Sequence, residues 1–264
     1  MDYVSQFHRE VLAFEAAARS TIGPSPAPLI PSCPGWSMAD LVLHLGGVHR
    51  YLSHVIEGRL QKPPDPSDLS LLSLPADVRG WPRPERAPHH GPVPEGLIDW
   101  FAEGAAVLES LLATSDPDTA VWTWSTEQTV GFWQRMQSIE AAVHRWDAEN
   151  AIGTAQPIDA APAADAVRQT FEVMAPARRA WTQAPPGSGE SYRFRQTDGP
   201  TDLRVRFEAA NIHIDQDTGP CDVELTGTAS DLMLFLWQRL PADQLEVDGD
   251  PQLPDRYFTL VPPV

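Results

Sequence analysis

Pro34-Gly35-Trp36-Ser37-Met38-Ala39-Asp40-Leu41-Val42-Leu43-His44-Leu45 is the stretch that decides how this chain is read. Ser37 and Asp40 stand three apart just ahead of an apolar run. That is the pattern of an N-cap serine with an acidic partner closing the first helical turn. The run continues through Val48, Leu52, Val55 and Ile56 and stops near Gly58. A helix with this apolar content must bury one face against other helices.

Working outward, residues 3–20 carry Val4, Phe7, Val11, Leu12, Phe14 and Ala18 at helical spacing. The stretch 23–34 is a proline-rich loop, and 61–93 is a long proline-rich segment, read as a loop or lid. A third helix is expected over about 94–112. A short extended piece is expected at Val121-Trp122-Thr123-Trp124, and a fourth helix from about Gly131 to Asn150. Four helices with a long second connection predict an up-down four-helix bundle over residues 1–155.

The pattern then changes. Residues 161–184 read as one helix. After Pro185-Pro186-Gly187 come alternating runs at Tyr192-Phe194, Leu203-Val205-Phe207, Ile212-Ile214 and Val223-Leu225, read as antiparallel strands. Thr228 or Ser230 opens a further helix from Leu232 to Trp237, and a short strand follows near Leu245-Val247. The fold class is therefore α+β: a helical bundle followed by a smaller α/β domain over 160–264 with an antiparallel sheet.

Composition narrows the function. The 264 residues include 36 acidic and 19 basic side chains, a formal net charge of −17. Such a surface repels phosphate backbones and anionic headgroups, so neither nucleic acid nor membrane is expected as a partner. No stretch approaches the roughly 20 apolar residues of a membrane span. Nothing at the N-terminus reads as a signal peptide, and two widely separated cysteines point to a reducing cytoplasm.

The residues able to carry chemistry are few. Glu140-Ala141-Ala142-Val143-His144 places a carboxylate and an imidazole on one helix face, one turn apart. His44 lies among apolar neighbours on a core-facing helix. An inward His from one helix and an inward Glu/His pair from another can meet inside a bundle around a divalent ion such as zinc. Three protein ligands leave an open position, the mark of a catalytic metal site. Each member also has a plainer reading, a surface pair for Glu140 and His144 and a hydrogen-bonded core residue for His44.

Other candidates compete. Asp40 is a cap, with a fourth ligand or supporting acceptor as the alternative. His49, about 140° around the helix from His44, faces elsewhere, as does His54. His89 and His90 fall in the exposed loop, and His213 in a strand. Cys33 is read as a small buried residue in preference to a reactive thiol. Trp122, Trp124 and Trp133 are core residues or, alternatively, the lining of an aromatic cleft.

Cys33-Pro34-Gly35-Trp36, Asp40-Leu41-Val42 and His44-Leu45-Gly46-Gly47-Val48-His49 together resemble the opening of the mycothiol-dependent maleylpyruvate isomerase family. The run from Glu140 through His144-Arg145-Trp146-Asp147-Ala148 resembles that family's second metal-binding segment. The resemblance implies a DinB-like metal-binding bundle, then a domain similar to sterol-carrier-type folds. It also implies zinc held by His44, Glu140 and His144, and mycothiol as cosubstrate in a cleft between the domains. Leu234-Phe235-Leu236-Trp237-Gln238-Arg239 resembles the helix end that carries a substrate-binding arginine, which makes Arg239 the candidate for substrate carboxylates. A cation complementing a helix C-terminus is its plainer reading.

The expected activity is cis-trans isomerisation of a small unsaturated dicarboxylate by a metal-activated thiolate. The alternatives are a mycothiol S-transferase acting on an electrophile and a non-catalytic metal- or small-molecule-binding module. A monomer or homodimer is expected.

Overall fold

The computed structural model describes residues 1–215 and 219–263. The chain divides into two compact units, Met1–Gln156 and Pro157–Val264.

Helices α1 (Tyr3–Arg19), α2 (Met38–Glu57), α3 (Glu95–Thr114) and α4 (Val130–Ala151) build the first unit. Asp2 caps α1 by accepting from the Ser5 N–H at 3.0 Å. Phe7, Val11, Phe14 and Ala18 are buried, whereas Leu12 is half exposed. One residue advances the helix by about 100°, which swings Leu12 off the stripe that Val11 occupies. The Ser37–Asp40 capping box forms: the Ser37 N–H donates to Asp40 Oδ2 at 2.8 Å and the Asp40 N–H to Ser37 Oγ at 3.4 Å.

Gly46 brings α2 against α3. A Cβ there would lie 2.4 Å from Trp100 Cζ3, so only glycine admits that indole. Residues 121–124 form no regular strand; Ala120 and Thr129 make a single isolated bridge.

The proline-rich segment between α2 and α3 holds two 3-10 turns, Leu69–Leu72 and Pro84–Arg86. It is anchored at several points. The His89 N–H donates to Asp40 Oδ2 at 2.8 Å, Trp100 Nε1 donates to the Leu72 carbonyl at 3.0 Å, and the Ala27 N–H donates to the Gly91 carbonyl at 2.8 Å. Trp81 packs edge-on against Trp100 with centroids 5.5 Å apart.

In the second unit the helix expected over 161–184 is interrupted. Helices α5 (Ala160–Gln169) and α6 (Ala175–Thr182) flank a π-helical turn at Thr170–Met174. Pro176 supplies no N–H, and the Ala175 N–H reaches five residues back to the Thr170 carbonyl.

Strands β1 (Gly187–Gln196), β2 (Asp202–Ala209), β3 (Asn211–Asp215), β4 (Val223–Gly227) and β5 (Glu246–Gly249) form one sheet in the order β3-β2-β1-β4-β5. The sheet is mixed: β1 and β4 run parallel, with Tyr192 opposite Val223 and Phe194 opposite Leu225. The other pairs are antiparallel. Helices α7 (Ala229–Leu236) and α8 (Leu253–Leu260) complete the unit, and α8 is an element the sequence reading missed. Thr228 caps α7 by accepting from the Asp231 N–H at 3.1 Å. Tyr192, Phe194, Leu203, Val205, Phe207, Val223 and Leu225 are fully buried, with Tyr257 of α8 among the rings of Tyr192, Phe194, Phe207 and Phe235.

Candidate metal centre and its cavity

Helices α2 and α4 bring His44, Glu140 and His144 together. One donor atom from each lies within 4.8 Å of the others. His44 Nε2 stands 3.6 Å from Glu140 Oε1, and the two imidazoles meet almost at right angles with centroids 5.2 Å apart. Glu140 and His144 project from successive turns of α4 toward one point.

Each donor is oriented by a neighbour. Gln137, one turn earlier on α4, donates through Nε2 to Glu140 Oε2 at 2.7 Å. His144 Nδ1 lies 2.9 Å from Asp147 Oδ2. The fully buried Asp147 also accepts from Ser32 Oγ at 2.5 Å and from Cys33 Sγ at 3.5 Å. The His44 ring rests on Trp36, centroids 4.9 Å apart.

The electrostatics follow from burial and neighbours. Burial pushes the Glu140 carboxyl up. It is outweighed by the His44 ring, the His144 ring and the Gln137 hydrogen bond, which together hold the group at about 2. Glu140 is therefore a carboxylate at neutral pH. Burial lowers His144, against the opposing pull of Asp147, so its imidazole stays neutral. A neutral imidazole with Nδ1 directed at a carboxylate keeps its Nε2 lone pair free. Two imidazole nitrogens and one carboxylate oxygen are a donor set that suits zinc and related divalent ions. Cys33, His144 and Asp147 form a second converging group. Both Asp147 oxygens there already accept hydrogen bonds, so the His44 group has the freer donors.

His44 also borders a half-open cavity of about 440 Å³ between α2 and the proline-rich segment. Trp36, Leu43 and Gly47 line one wall, and Leu72, Val78 and Trp81 the other. Its charged lining residues are Asp40 and Arg83.

The remaining candidates do not join the donor trio. Asp40 is the helix cap and holds the His89 backbone. His49 is fully buried between Phe7 and Phe101, with ring centroids 5.2 and 5.4 Å away. His54 and His90 are exposed, and His213 pairs with Glu208 at 3.4 Å. Cys33 is half-buried beside Asp147, which makes it less enclosed than the small buried residue expected. Trp122, Trp124 and Trp133 pack on one another and on Phe132, and the cavity takes its indoles from Trp36 and Trp81 instead.

Arg239 belongs to the second unit, just past α7. Gln238 adopts a left-handed conformation with φ of 58°. The Gln238 N–H bonds the Phe235 carbonyl and the Arg239 N–H the Leu234 carbonyl, a Schellman closure of the helix. Arg239 Nη1 donates to the Trp237 carbonyl at 2.8 Å. The sequence reading gave Asp147, Gln137 and Ser32 no role. An acid three residues after His144 on the same helix was the available signal for Asp147.

A bundle bearing a partly buried His/His/Glu group, joined to a mixed-sheet α/β unit, defines a class of two-unit proteins with a potential metal centre. Residues 7–149 match the family model described as mycothiol maleylpyruvate isomerase N-terminal domain, and residues 161–256 match the MDMPI C-terminal domain. The chain belongs to the mycothiol-dependent maleylpyruvate isomerase family. It shares the fold of the crystal structure of a mycothiol-dependent maleylpyruvate isomerase, with a TM-score of 0.59 at 14% identity, covering 94% of this chain and 92% of that one. A histidine mutant of a mycothiol-dependent maleylpyruvate isomerase matches with a TM-score of 0.60 at 12% identity, over the same shares of both chains. No curated protein matches in sequence. Among the described residues, no helix is long and apolar enough to cross a membrane.

Proposed function

We propose that the chain is a metal- and mycothiol-dependent enzyme in which His44, Glu140 and His144 hold a divalent ion, with zinc the best match to the donors. The observation that carries this reading is the convergence of those three donors from two helices, each oriented by its own neighbour. When bound, the ion supplies positive charge that favours the thiolate of mycothiol over the thiol at neutral pH, below the ordinary thiol pKa of about 8.5. Glu140 contributes the negative charge that retains the ion, and Asp147 fixes the His144 tautomer.

Two reactions share this activation. In one, the thiolate adds to the cis double bond of a small unsaturated dicarboxylate. Rotation about the resulting single bond and elimination then give the trans isomer, with Arg239 taking a substrate carboxylate. In the other, the thiolate attacks an electrophile and the conjugate leaves. The apolar lining of the cavity beside His44 favours the second. A closed, non-catalytic metal site fits less well, because the His44 side chain is 35% exposed and borders a cavity.

The test is elemental analysis of purified protein and of His144→Ala, followed by turnover of maleylpyruvate and of a generic electrophile with mycothiol and with glutathione. Wild type should carry one ion per chain and prefer mycothiol, and His144→Ala should lose both ion and activity. Full metal occupancy in His144→Ala would remove the trio from the metal site. Arg239→Ala should impair dicarboxylate turnover and leave metal content unchanged; unaltered kinetics would remove Arg239 from the substrate site.

A further inference from the structure

The geometry points to the cavity between α2 and the proline-rich segment as the binding site for the apolar body of a neutral electrophile, so that this chain is an S-transferase for apolar substrates. The inference rests on the reading of His44 as part of the thiol-activating centre.

Three observations carry it. First, the cavity has the size of a small-molecule site, about 440 Å³. Its walls are apolar and aromatic, with Leu43, Leu72, Val78, Trp36 and Trp81 among them. Second, its charges do not suit a dianion. Asp40 and Arg83 are the charged lining residues, one of each sign. Asp40 is held in place by hydrogen bonds it accepts from the Ser37 N–H, the Ser37 hydroxyl and the His89 N–H. A dicarboxylate entering this space would find a single lining cation, Arg83, for its two carboxylates.

Third, the wall facing α2 is built. Trp100 Nε1 holds the Leu72 carbonyl, Trp81 stacks edge-on against Trp100, and His89 is tied to Asp40. The proline-rich segment therefore presents its apolar side chains toward α2 from fixed points. His44 opens onto the same space, so an electrophile bound there by its apolar body has its reactive carbon next to the proposed thiolate.

For an aryl chloride the step balances as follows. The thiolate sulfur forms a bond to the ring carbon, the carbon–chlorine bond breaks, chloride leaves with the bonding pair, and the thiol proton passes to solvent. No oxidant or reductant is needed.

Two arms test this. The first uses N-phenyl-1-naphthylamine, a neutral apolar fluorophore, titrated into metal-free and zinc-loaded protein. Saturable binding of one molecule per chain is expected in both. Gly47 lines the cavity, and a Cβ there would lie 3.8 Å from Leu72 Cδ2, so the Leu side chain of Gly47→Leu would extend into the space. Gly47→Leu should weaken the fluorophore about tenfold or more. Val78→Glu, at a half-exposed position that tolerates a charge, should do the same without filling the core. Absent binding in wild type, or equal binding in both variants, overturns the placement.

The second arm measures kinetics of zinc-loaded enzyme with mycothiol, comparing 1-chloro-2,4-dinitrobenzene with maleylpyruvate. The aryl chloride should be the better substrate, and Gly47→Leu should raise its KM with zinc content unchanged. Faster turnover of maleylpyruvate, insensitive to Gly47→Leu, overturns the substrate class while leaving the metal reading intact. Fluorophore binding that Gly47→Leu blocks, in a protein that retains no metal, supports the cavity and sinks the metal reading alone.

Discussion

Asp147 Oδ2 lies 2.9 Å from His144 Nδ1, and both side chains are buried on α4 three residues apart. The carboxylate accepts the Nδ1 proton and leaves Nε2 as a lone-pair donor facing His44 and Glu140. Asparagine at 147 keeps the shape but can turn its amide donor toward Nδ1, which selects the opposite tautomer and blocks Nε2. Asp147→Asn is expected to weaken metal affinity by about 10–100-fold, the usual loss when a partner of this kind is removed. Chelator competition measures it, and an unchanged dissociation constant would show that Asp147 does not set the tautomer.

Gly46 and Gly47 are adjacent glycines on α2 with opposite tolerances. A Cβ on Gly46 would sit 2.4 Å from the Trp100 indole, whereas one on Gly47 has only an ordinary contact at 3.8 Å. Gly46→Ala forces α3 or the indole to move and should cost about 1–3 kcal/mol. Gly47→Ala should leave folding stability unchanged or raise it, because alanine is the better helix former by up to about 1 kcal/mol. Denaturant melts of the two variants check the contrast; equal stabilities would mean that Trp100 relaxes freely.

Much of this was legible in the sequence, and the reasons differ by element. Helix spacing and the Ser37–Asp40 pair announced α2, and the four-residue spacing of Glu140 and His144 showed that they share a face. Alternation marked each strand, but alternation reports which residues face the core and says nothing about partner or direction. The parallel pairing of β1 with β4 was therefore not readable. The π-helical turn before Pro176 was hidden inside a continuous helical pattern. Helix α8 is only eight residues long, too short for a clear helical period, and Pro254 stands in its first turn, where proline is favoured. The cavity depends on Trp36 and Trp81 meeting α2 from separate loops, which no local pattern encodes.

Arg145 ties α4 to α1 from inside the bundle. Its Nε donates to Glu10 at 2.9 Å, and its Nη1 donates to Glu149 at 2.8 Å and to the Gln156 carbonyl at 2.7 Å. Only 6% of the Arg145 side chain and 8% of the Glu10 side chain are exposed. Replacing Arg145 with methionine strands two carboxylates in a poorly hydrated site and should cost about 3–5 kcal/mol. Glu10→Gln keeps an acceptor for the guanidinium and leaves Glu149 in place, so it should cost about 1–3 kcal/mol. The ordering is read from urea midpoints at constant m-value; a Glu10→Gln loss as large as that of Arg145→Met would place the main energy in the Glu10 contact alone.

His49 gives the first unit an acid sensitivity that a single substitution should remove. It is fully buried, neither ring nitrogen has a hydrogen-bond partner among the described residues, and burial lowers it from 6.5 to about 3. Between those values the unfolded chain binds a proton that the folded chain refuses. Stability therefore falls as pH drops from 6.5 toward 3, at up to about 1.4 kcal/mol per pH unit from this residue. His49→Phe places another ring between Phe7 and Phe101, removes two unpaired nitrogens and cannot protonate. The variant should match or exceed wild type near pH 7, with an advantage that widens steadily on acidification from pH 6.5 to pH 4. His144, also lowered by burial, adds a slope of the same sign, but it is present in both proteins and cancels in their difference. Parallel thermal melts across that range measure the gap, and a gap independent of pH would mean that His49 is already solvated or paired in the folded protein.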